Sequence, residues 1–364
     1  MTIKSKKNRI IFIDLMRAFA VLMMVQGHTV DVLLSNDFRN MDSPFFLSWF
    51  FMRGMTAPIF LFTSGTVFTY LFRLVNEPFL NNPRTKKGFK RVLLLIVLGY
   101  LLRYPTPTLV VFNNVTPLQW QIFFAVDVLQ LIGFGLFFIL ILMFLSEKLK
   151  LNDYITFALG ALFFFVLYPI FDKMNWSEIL PAPLAGYFYK GTGSNFPLFP
   201  WAGYVICGAI LGSFLAKNPD VFRSTNFSFG LIIAGIIILS VALIGDRIET
   251  ASLGKSYLWT TSPNLVILRL AIVLFLNGIV SLIASRVDKI PRIIILLGRN
   301  TLLIYIVHLM ILYGSAWNPG IILLFNKSFG VLNTIGSALL MLSTMTLMVI
   351  ILHRLKIKNK QLVT

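Results

Sequence analysis

The chain has 364 residues, of which 57% are hydrophobic, 14% aromatic and only 13% charged, and its mean hydropathy is +0.82. A soluble domain is about 45–50% apolar and about 25% charged, so a water-soluble enzyme is excluded, as are disordered and collagen-like chains, and the single cysteine, Cys207, excludes a disulfide framework or a thiolate metal cluster. The formal charge of +18 belongs, in so apolar a chain, to basic loops facing an anionic cytoplasmic leaflet rather than to nucleic acid.

The expected architecture is all-α: a polytopic membrane helix bundle forming one domain over residues 1–364, with a basic N-terminus at 1–9 and a basic tail at 353–364. A transmembrane helix needs about 20 mostly apolar residues, and ten stretches meet that need. In chain order they lie near Ile10–Leu34, Gly54–Phe72, Val92–Val111, Gln119–Leu145, Tyr154–Phe171, Pro197–Leu215, Phe227–Ile244, Leu265–Ser285, Asn300–Ser315 and Val331–Leu352. The first is too long for the apolar core of a signal peptide and carries Asp14 and Arg17, so it reads as a retained span. Between the first two, the aromatic run Pro44–Arg53 suits an interfacial helix lying on the membrane surface.

The basic residues orient the bundle. With the N-terminus in the cytoplasm, Lys4, Lys6, Lys7 and Arg9 are inside, followed by Arg73, Arg84, Lys86, Lys87, Lys90 and Arg91 after the second span. Later inside loops add Lys148, Lys150, Lys217, Arg223, Arg286, Lys289 and Arg292, and the tail adds Arg354, Lys356, Lys358 and Lys360. The opposite face collects only Arg39, Arg53, Lys173, Lys190, Arg247, Lys255 and Lys327, a roughly threefold bias that puts both termini inside and asks for an even number of spans. The longest outside stretches, Asp172–Phe196 and Gly245–Asn264, have the aromatic, amide and hydroxyl side chains of sugar-binding surfaces, a composition they share with ordinary loops.

An ionisable group within a bilayer costs roughly 2.5–3.5 kcal/mol even on the mildest scale, so Asp14, Arg17, His28, Arg103, Asp127, Arg269, Arg299 and His308 are the informative residues. Arg17 and His28 stand eleven positions apart, which puts them on one face of the first span and about 16 Å apart along its axis. Asp14 falls one turn below Arg17 and can hold its guanidinium. Such a line fits a long phosphorylated donor entering from the cytoplasm; it also fits an interfacial ion pair with a packed histidine above it. In the ninth span Thr301, Tyr305 and His308 share a face, with Arg299 pointing elsewhere, and His308 reaches a depth comparable with His28. Two neutral imidazoles at one depth suit general-base work, and a bundle hydrogen bond accounts for His308 equally well. Asp127 can orient a histidine, hold an acceptor amine, or balance Arg103 or Arg269. Three histidines in all, without a metal-ligand spacing, argue for no metal.

The run Asp14-x-x-Arg17-x-x-Ala20 leading to His28 resembles the signature of the integral-membrane acyltransferase type-3 family. Thr56–Gly65 (TAPIFLFTSG), Phe196–Tyr204 (FPLFPWAGY) leading to Gly208, and Leu297-Gly298-Arg299-Asn300 through His308 are similar to the branch of membrane acetyltransferases related to heparan-α-glucosaminide N-acetyltransferase. Met16, and Ala18 where many relatives have glycine, depart from the pattern. The resemblance implies transfer of an acetyl group from cytoplasmic acetyl-CoA (or another acyl-CoA) to an extracytoplasmic amino sugar or glycan. N-acetyltransfer to a glucosamine-type acceptor is favoured over O-acylation, and a cell inner membrane is the expected setting. It also implies His28 as the catalytic histidine and Arg17 as the donor-side residue. Around these, His308 and Asp127 are assigned to catalysis, Asp14, Arg91 and Arg299 to the donor, and Tyr305, Trp201 and Ser64 to the acceptor. The expected partners are acyl-CoA, the glycan acceptor and membrane lipid, with no nucleic acid, and monomer and homodimer are both left open. The competing reading is a membrane transporter or polysaccharide exporter, in which Arg17, Asp127 and the histidines line a path.

Overall fold

The computed structural model describes residues 10–259, 262–287 and 290–361, the side chains of 358–361 excepted. The expected basic N-terminus, Lys289 and the last three residues of the tail lie outside them. In chain order the helices are α1 (Ile11–Leu33), α2 (Pro44–Arg73), α3 (Pro83–Leu102), α4 (Pro117–Phe124), α5 (Val128–Lys148), α6 (Asp153–Lys173), α7 (Ala182–Ala185), α8 (Leu198–Lys217), α9 (Thr225–Leu253), α10 (Pro263–Arg286), α11 (Arg292–Arg299), α12 (Thr301–Tyr313), α13 (Ile322–Phe325) and α14 (Val331–Gln361). No β-strand occurs among the described residues, only the isolated bridges Leu34–Phe329 and Ser315–Asn318. Eight helices, counting Pro117–Lys148 as one, are long and apolar enough to cross a membrane, or nine if α11 and α12 form one bent span. Large apolar side chains on α6 (Leu159, Leu162, Val166, Ile170) and α9 (Ile233, Ile237, Val241, Ile244) are exposed, as lipid-facing surfaces must be.

The tenth expected span is missing for a simple reason. Val92–Val111 is helical only to Leu102, and the helix begins instead at Pro83, with Arg84, Lys86, Lys87, Lys90 and Arg91 in its first half. The apolar part that remains is about 16 Å long at 1.5 Å per residue, about half of a bilayer core. Two further expectations are corrected. Pro44–Arg53 is no separate surface helix: it forms the first turns of α2, which runs on unbroken past Pro58 to Arg73. The fourth span is interrupted at Ala125–Asp127, between α4 and α5.

By its contacts the chain divides into two compact units. The first comprises the described residues of Met1–Ile13, Leu61–Gly99 and Phe124–Asp288. Its innermost helix is α8, buried along nearly its whole length and packed against α5 and α6, while α9 pairs with α10. The α2–α8 contact depends on missing side chains: a Cβ on Gly65 would stand 1.8 Å from the Val205 carbonyl oxygen, and one on Gly208 would stand 1.9 Å from that of Phe62. Small residues spaced by four, here Gly208 and Gly212, let membrane helices approach to backbone contact. At one end of the unit, Asp153 ties four helices together. Its carboxylate pairs with Arg73 of α2 at 2.7 Å and Lys217 of α8 at 3.3 Å, and it accepts from Ser146 of α5 (2.7 Å) and Ser213 of α8 (3.2 Å). Asp153→Ala leaves Arg73, whose side chain is only 20% exposed, without its carboxylate. Breaking a largely buried pair from one side costs about 3 kcal/mol, so this variant should unfold at a clearly lower temperature in detergent, whereas Arg223→Ala, which breaks an exposed pair, should not.

The second unit comprises the described residues of Asp14–Phe60, Tyr100–Phe123 and Lys289–Thr364. Its core is Val21, Val25, Val32 and Leu33 of α1 with Leu297, Ile304, Leu312, Met341, Met345 and Val349. The chain turns by 74° between α11 and α12. Gly298 marks the place where α11 meets α1, since a Cβ there would stand 2.0 Å from the Asp14 carbonyl oxygen.

Candidate active site

In the second unit α1 and α12 bring the two intramembrane histidines together. Arg17 donates through Nη2 to the Thr301 hydroxyl at 2.8 Å, which fixes the start of α12 against α1 just past the Gly298 contact. Eleven residues further along α1, about 16 Å of rise, the half-buried His28 ring lies 5.5 Å from that of His308, centroid to centroid. Tyr305, one turn earlier on α12 and 3% exposed, meets His308 edge-on at 5.7 Å. The face formed by Thr301, Tyr305 and His308 is therefore turned inward, toward α1.

The hydrogen bonds set the chemistry of each ring. His308 is fully buried, and its Nδ1 lies 2.7 Å from the Ile304 carbonyl oxygen. A carbonyl only accepts, so Nδ1 carries the proton and Nε2 of the neutral ring is left with a lone pair. That nitrogen is buried and has no hydrogen-bond partner among the described residues. His28 Nδ1 lies 3.1 Å from the Tyr313 hydroxyl, whose ring stands edge-on to it at 5.7 Å. A hydroxyl both donates and accepts, so this contact holds the His28 ring through a change of protonation. Tyr313→Phe removes one hydrogen bond, worth about 1 kcal/mol; any activity that depends on the His28 imidazole should fall about fivefold, with little change in melting temperature by thermal unfolding.

One turn beyond His28 is a feature that the sequence reading passed over. Asp31 of α1 pairs with Arg53 of α2 and, at 3.7 Å, with Arg39. Trp49 donates from Nε1 to Gln26 Oε1 at 2.9 Å, and Arg53 lies over the Trp49 ring, 5.8 Å from its centroid. The sign was present in the sequence: Asp31 is three positions from His28 and thus on the same side of a helix.

Of the other expected site residues, Arg299 is exposed at the bend between α11 and α12 and Asp14 is half-buried beside Gly298. Ser64, Arg91, Asp127 and Trp201 belong to the first unit. Asp127 has a structural role there that the sequence reading did not weigh. It is the N-cap of α5, accepting from Val128 N–H at 2.9 Å, and with Gln130 it forms a capping box. Ser64 is half-buried beside Gly65. Arg91 is half-buried in α3. Trp201 is 8% exposed, with the Arg269 guanidinium 5.5 Å from its ring centroid.

The family model of the catalytic region of heparan-alpha-glucosaminide N-acetyltransferase matches residues 9–247. Arg17, His28, Asp31 and Arg53 fall within the match, and Thr301, Tyr305, His308 and Tyr313 lie beyond it. No curated protein and no solved structure matches the chain.

Proposed function

Since the chain belongs to the heparan-α-glucosaminide N-acetyltransferase family, a family of membrane acetyltransferases, we propose that it moves an acetyl group from cytoplasmic acetyl-CoA to the amine of a glucosamine-type sugar on the other side of a cell inner membrane. The observation that carries this reading is the pair of rings 5.5 Å apart, His28 of α1 and His308 of α12, with Arg17 eleven residues before His28 on α1. The reaction needs a base for the amine, a path for the thioester and cations for the donor's phosphates. His28 takes the proton as the amine nitrogen attacks the thioester carbonyl. The C–S bond then breaks, and the thiolate leaves as coenzyme A on receiving that proton from the His28 imidazolium, which returns His28 to the neutral form. His308, packed against the His28 ring, keeps it in place through both transfers.

Arg17, with Asp14 beside it, marks the donor end of this line, Arg299 adds a further cation in the same unit, and Tyr305 lines the acceptor side. In the first unit, Arg84, Lys86, Lys87, Lys90 and Arg91 of α3 are cations suited to the phosphates of coenzyme A, and Ser64 and Trp201 are side chains suited to a sugar. The test is an assay of purified protein with labelled acetyl-CoA and glucosamine, followed by hydroxylamine treatment of the product. N-acetylation gives label that survives hydroxylamine, and O-acylation gives label that is removed. Acetyl-CoA left intact with every amino sugar and glycan tried would overturn the reading.

A further inference from the structure

In the first unit α3 presents two unlike faces. Gly88, Val92, Leu95 and Gly99 lie on one side and are buried, Gly88 against Leu140 of α5 and Phe68 of α2, and Gly99 against Gln130 of α5. Lys86, Lys90, Leu93 and Val97 fall on the opposite side, within an arc of about 60°. All four are exposed, Leu93 at 63% and Val97 at 44%. The stripe is cationic at its start and apolar beyond. Among the described residues no ion pair engages Lys86 or Lys90. Arg84 and Arg91 are set apart from it, half-buried and turned toward the packed side of the helix.

From Lys86 to Val97 the helix rises about 16 Å, which is the hydrocarbon depth of one leaflet, half of a core of roughly 30 Å. A molecule that covers this stripe needs an anionic head and a hydrocarbon tail of that length. A soluble anion would leave Leu93 and Val97 uncovered, and a neutral lipid would leave two ammonium groups without a counter-charge. Lysine suits such a place, because its methylene stem lies along apolar surface while its charge reaches the headgroups. The other lipid-facing helices offer no such choice among headgroups: α6 from Asp153 to Asp172 and α9 from Thr225 to Asp246 contain no lysine or arginine. We propose that the exposed stripe of α3 binds one anionic phospholipid, with its phosphate between Lys86 and Lys90 and an acyl chain along Leu93 and Val97. The site stands apart from acetyl transfer, and it leaves Arg84 and Arg91, on the packed side, as the cations of α3 for coenzyme A.

The test measures the affinity of the first bound lipid on the purified full-length protein by native mass spectrometry. The probes are dioleoylphosphatidylglycerol and dioleoylphosphatidylcholine, which differ in the headgroup alone. The wild type should hold the glycerol lipid about 30-fold more tightly, the factor that two lysines give at about 1 kcal/mol each. Lys86→Ala/Lys90→Ala should bring that ratio close to one. Lys148→Ala/Arg286→Ala, which removes the same charge from exposed positions elsewhere in the unit, should keep it. The ratio is internal to each variant, so a partly unfolded preparation does not distort it. Phosphatidylglycerol should also raise the melting temperature of the wild type more than that of Lys86→Ala/Lys90→Ala, and glycerophosphoglycerol, the same headgroup without chains, should not displace the lipid. A wild-type ratio near one, or a ratio that survives Lys86→Ala/Lys90→Ala, would overturn the site. Loss of the ratio in Lys148→Ala/Arg286→Ala would reduce it to the general attraction of a basic protein, and displacement of the lipid by coenzyme A would return both lysines to the donor.

Discussion

His28→Ala should lower acetyl transfer by about 10³-fold, in the middle of the range for loss of a positioned general base, without lowering the melting temperature. Imidazole in the buffer should restore part of the rate, since the deletion leaves a gap of the right shape beside Tyr313 and His308. His308→Ala should cost less, about 30-fold, because His28 keeps its own hold on Tyr313 and loses only the ring packed beside it. The double variant separates a working pair from two independent residues. If the histidines act together, it should be no slower than His28→Ala within a few-fold, as is usual for groups that act as a unit. Multiplied losses would mean two separate roles. A His28→Ala enzyme at more than a tenth of the wild-type rate would remove His28 from the chemistry.

The largest effect on stability is expected at the α2–α8 contact. In Gly208→Ala the new methyl carbon would start 1.9 Å from the Phe62 carbonyl oxygen, a backbone atom that no rotamer change can move. The helices would have to part by about 1 Å or more, and the packing of both faces would go with them. Overpacking of this kind costs about 3 kcal/mol at the upper end of the usual range, and Gly65→Ala at the same contact should cost as much. Gly230→Ala in α9, where nothing lies within 4 Å of the added Cβ, should instead be neutral or slightly stabilising, because alanine is the better helix former by about 1 kcal/mol. Thermal unfolding of the three variants in one detergent decides the matter: equal melting temperatures would mean that the contact is looser than described.

Much of this arrangement is legible in the sequence because helices repeat. The eleven-residue step from Arg17 to His28 and the steps of four and three from Thr301 to His308 fix two faces, and the structure turns both inward against each other. What escaped depends on groups far apart in the chain or on local capping. Nothing in the spacing announces that Tyr313, at the last residue of α12, returns to His28, or that Thr301 receives Arg17. Asp31 was passed over because it stands near the end of its span, where a carboxylate costs little and draws no notice. Asp127 draws attention by its charge, yet Asp-x-x-Gln before an apolar run is also a helix-start signal, and the structure shows the capping box that this signal announces. In the sequence the glycines of the Thr56–Gly65 and Phe196–Gly208 motifs are marks of a family; in the structure Gly65 and Gly208 are the places where two backbones touch. The third span was overcounted because its apolar run was joined to a loop across Arg103.

His28 and Tyr313 are separated by 285 positions, and this has a consequence for how the protein is made. At about 5–20 residues per second, a ribosome that has inserted α1 needs roughly 15–60 s more to deliver the tyrosine that holds its imidazole. For that time the newborn first helix sits in lipid with Arg17 and His28 lacking their late-arriving partners Thr301 and Tyr313, a costly state for polar groups and an open invitation to membrane quality-control proteases. A chain stalled before Tyr313 thus carries its imidazole without the group that holds it, however much of the rest has been built.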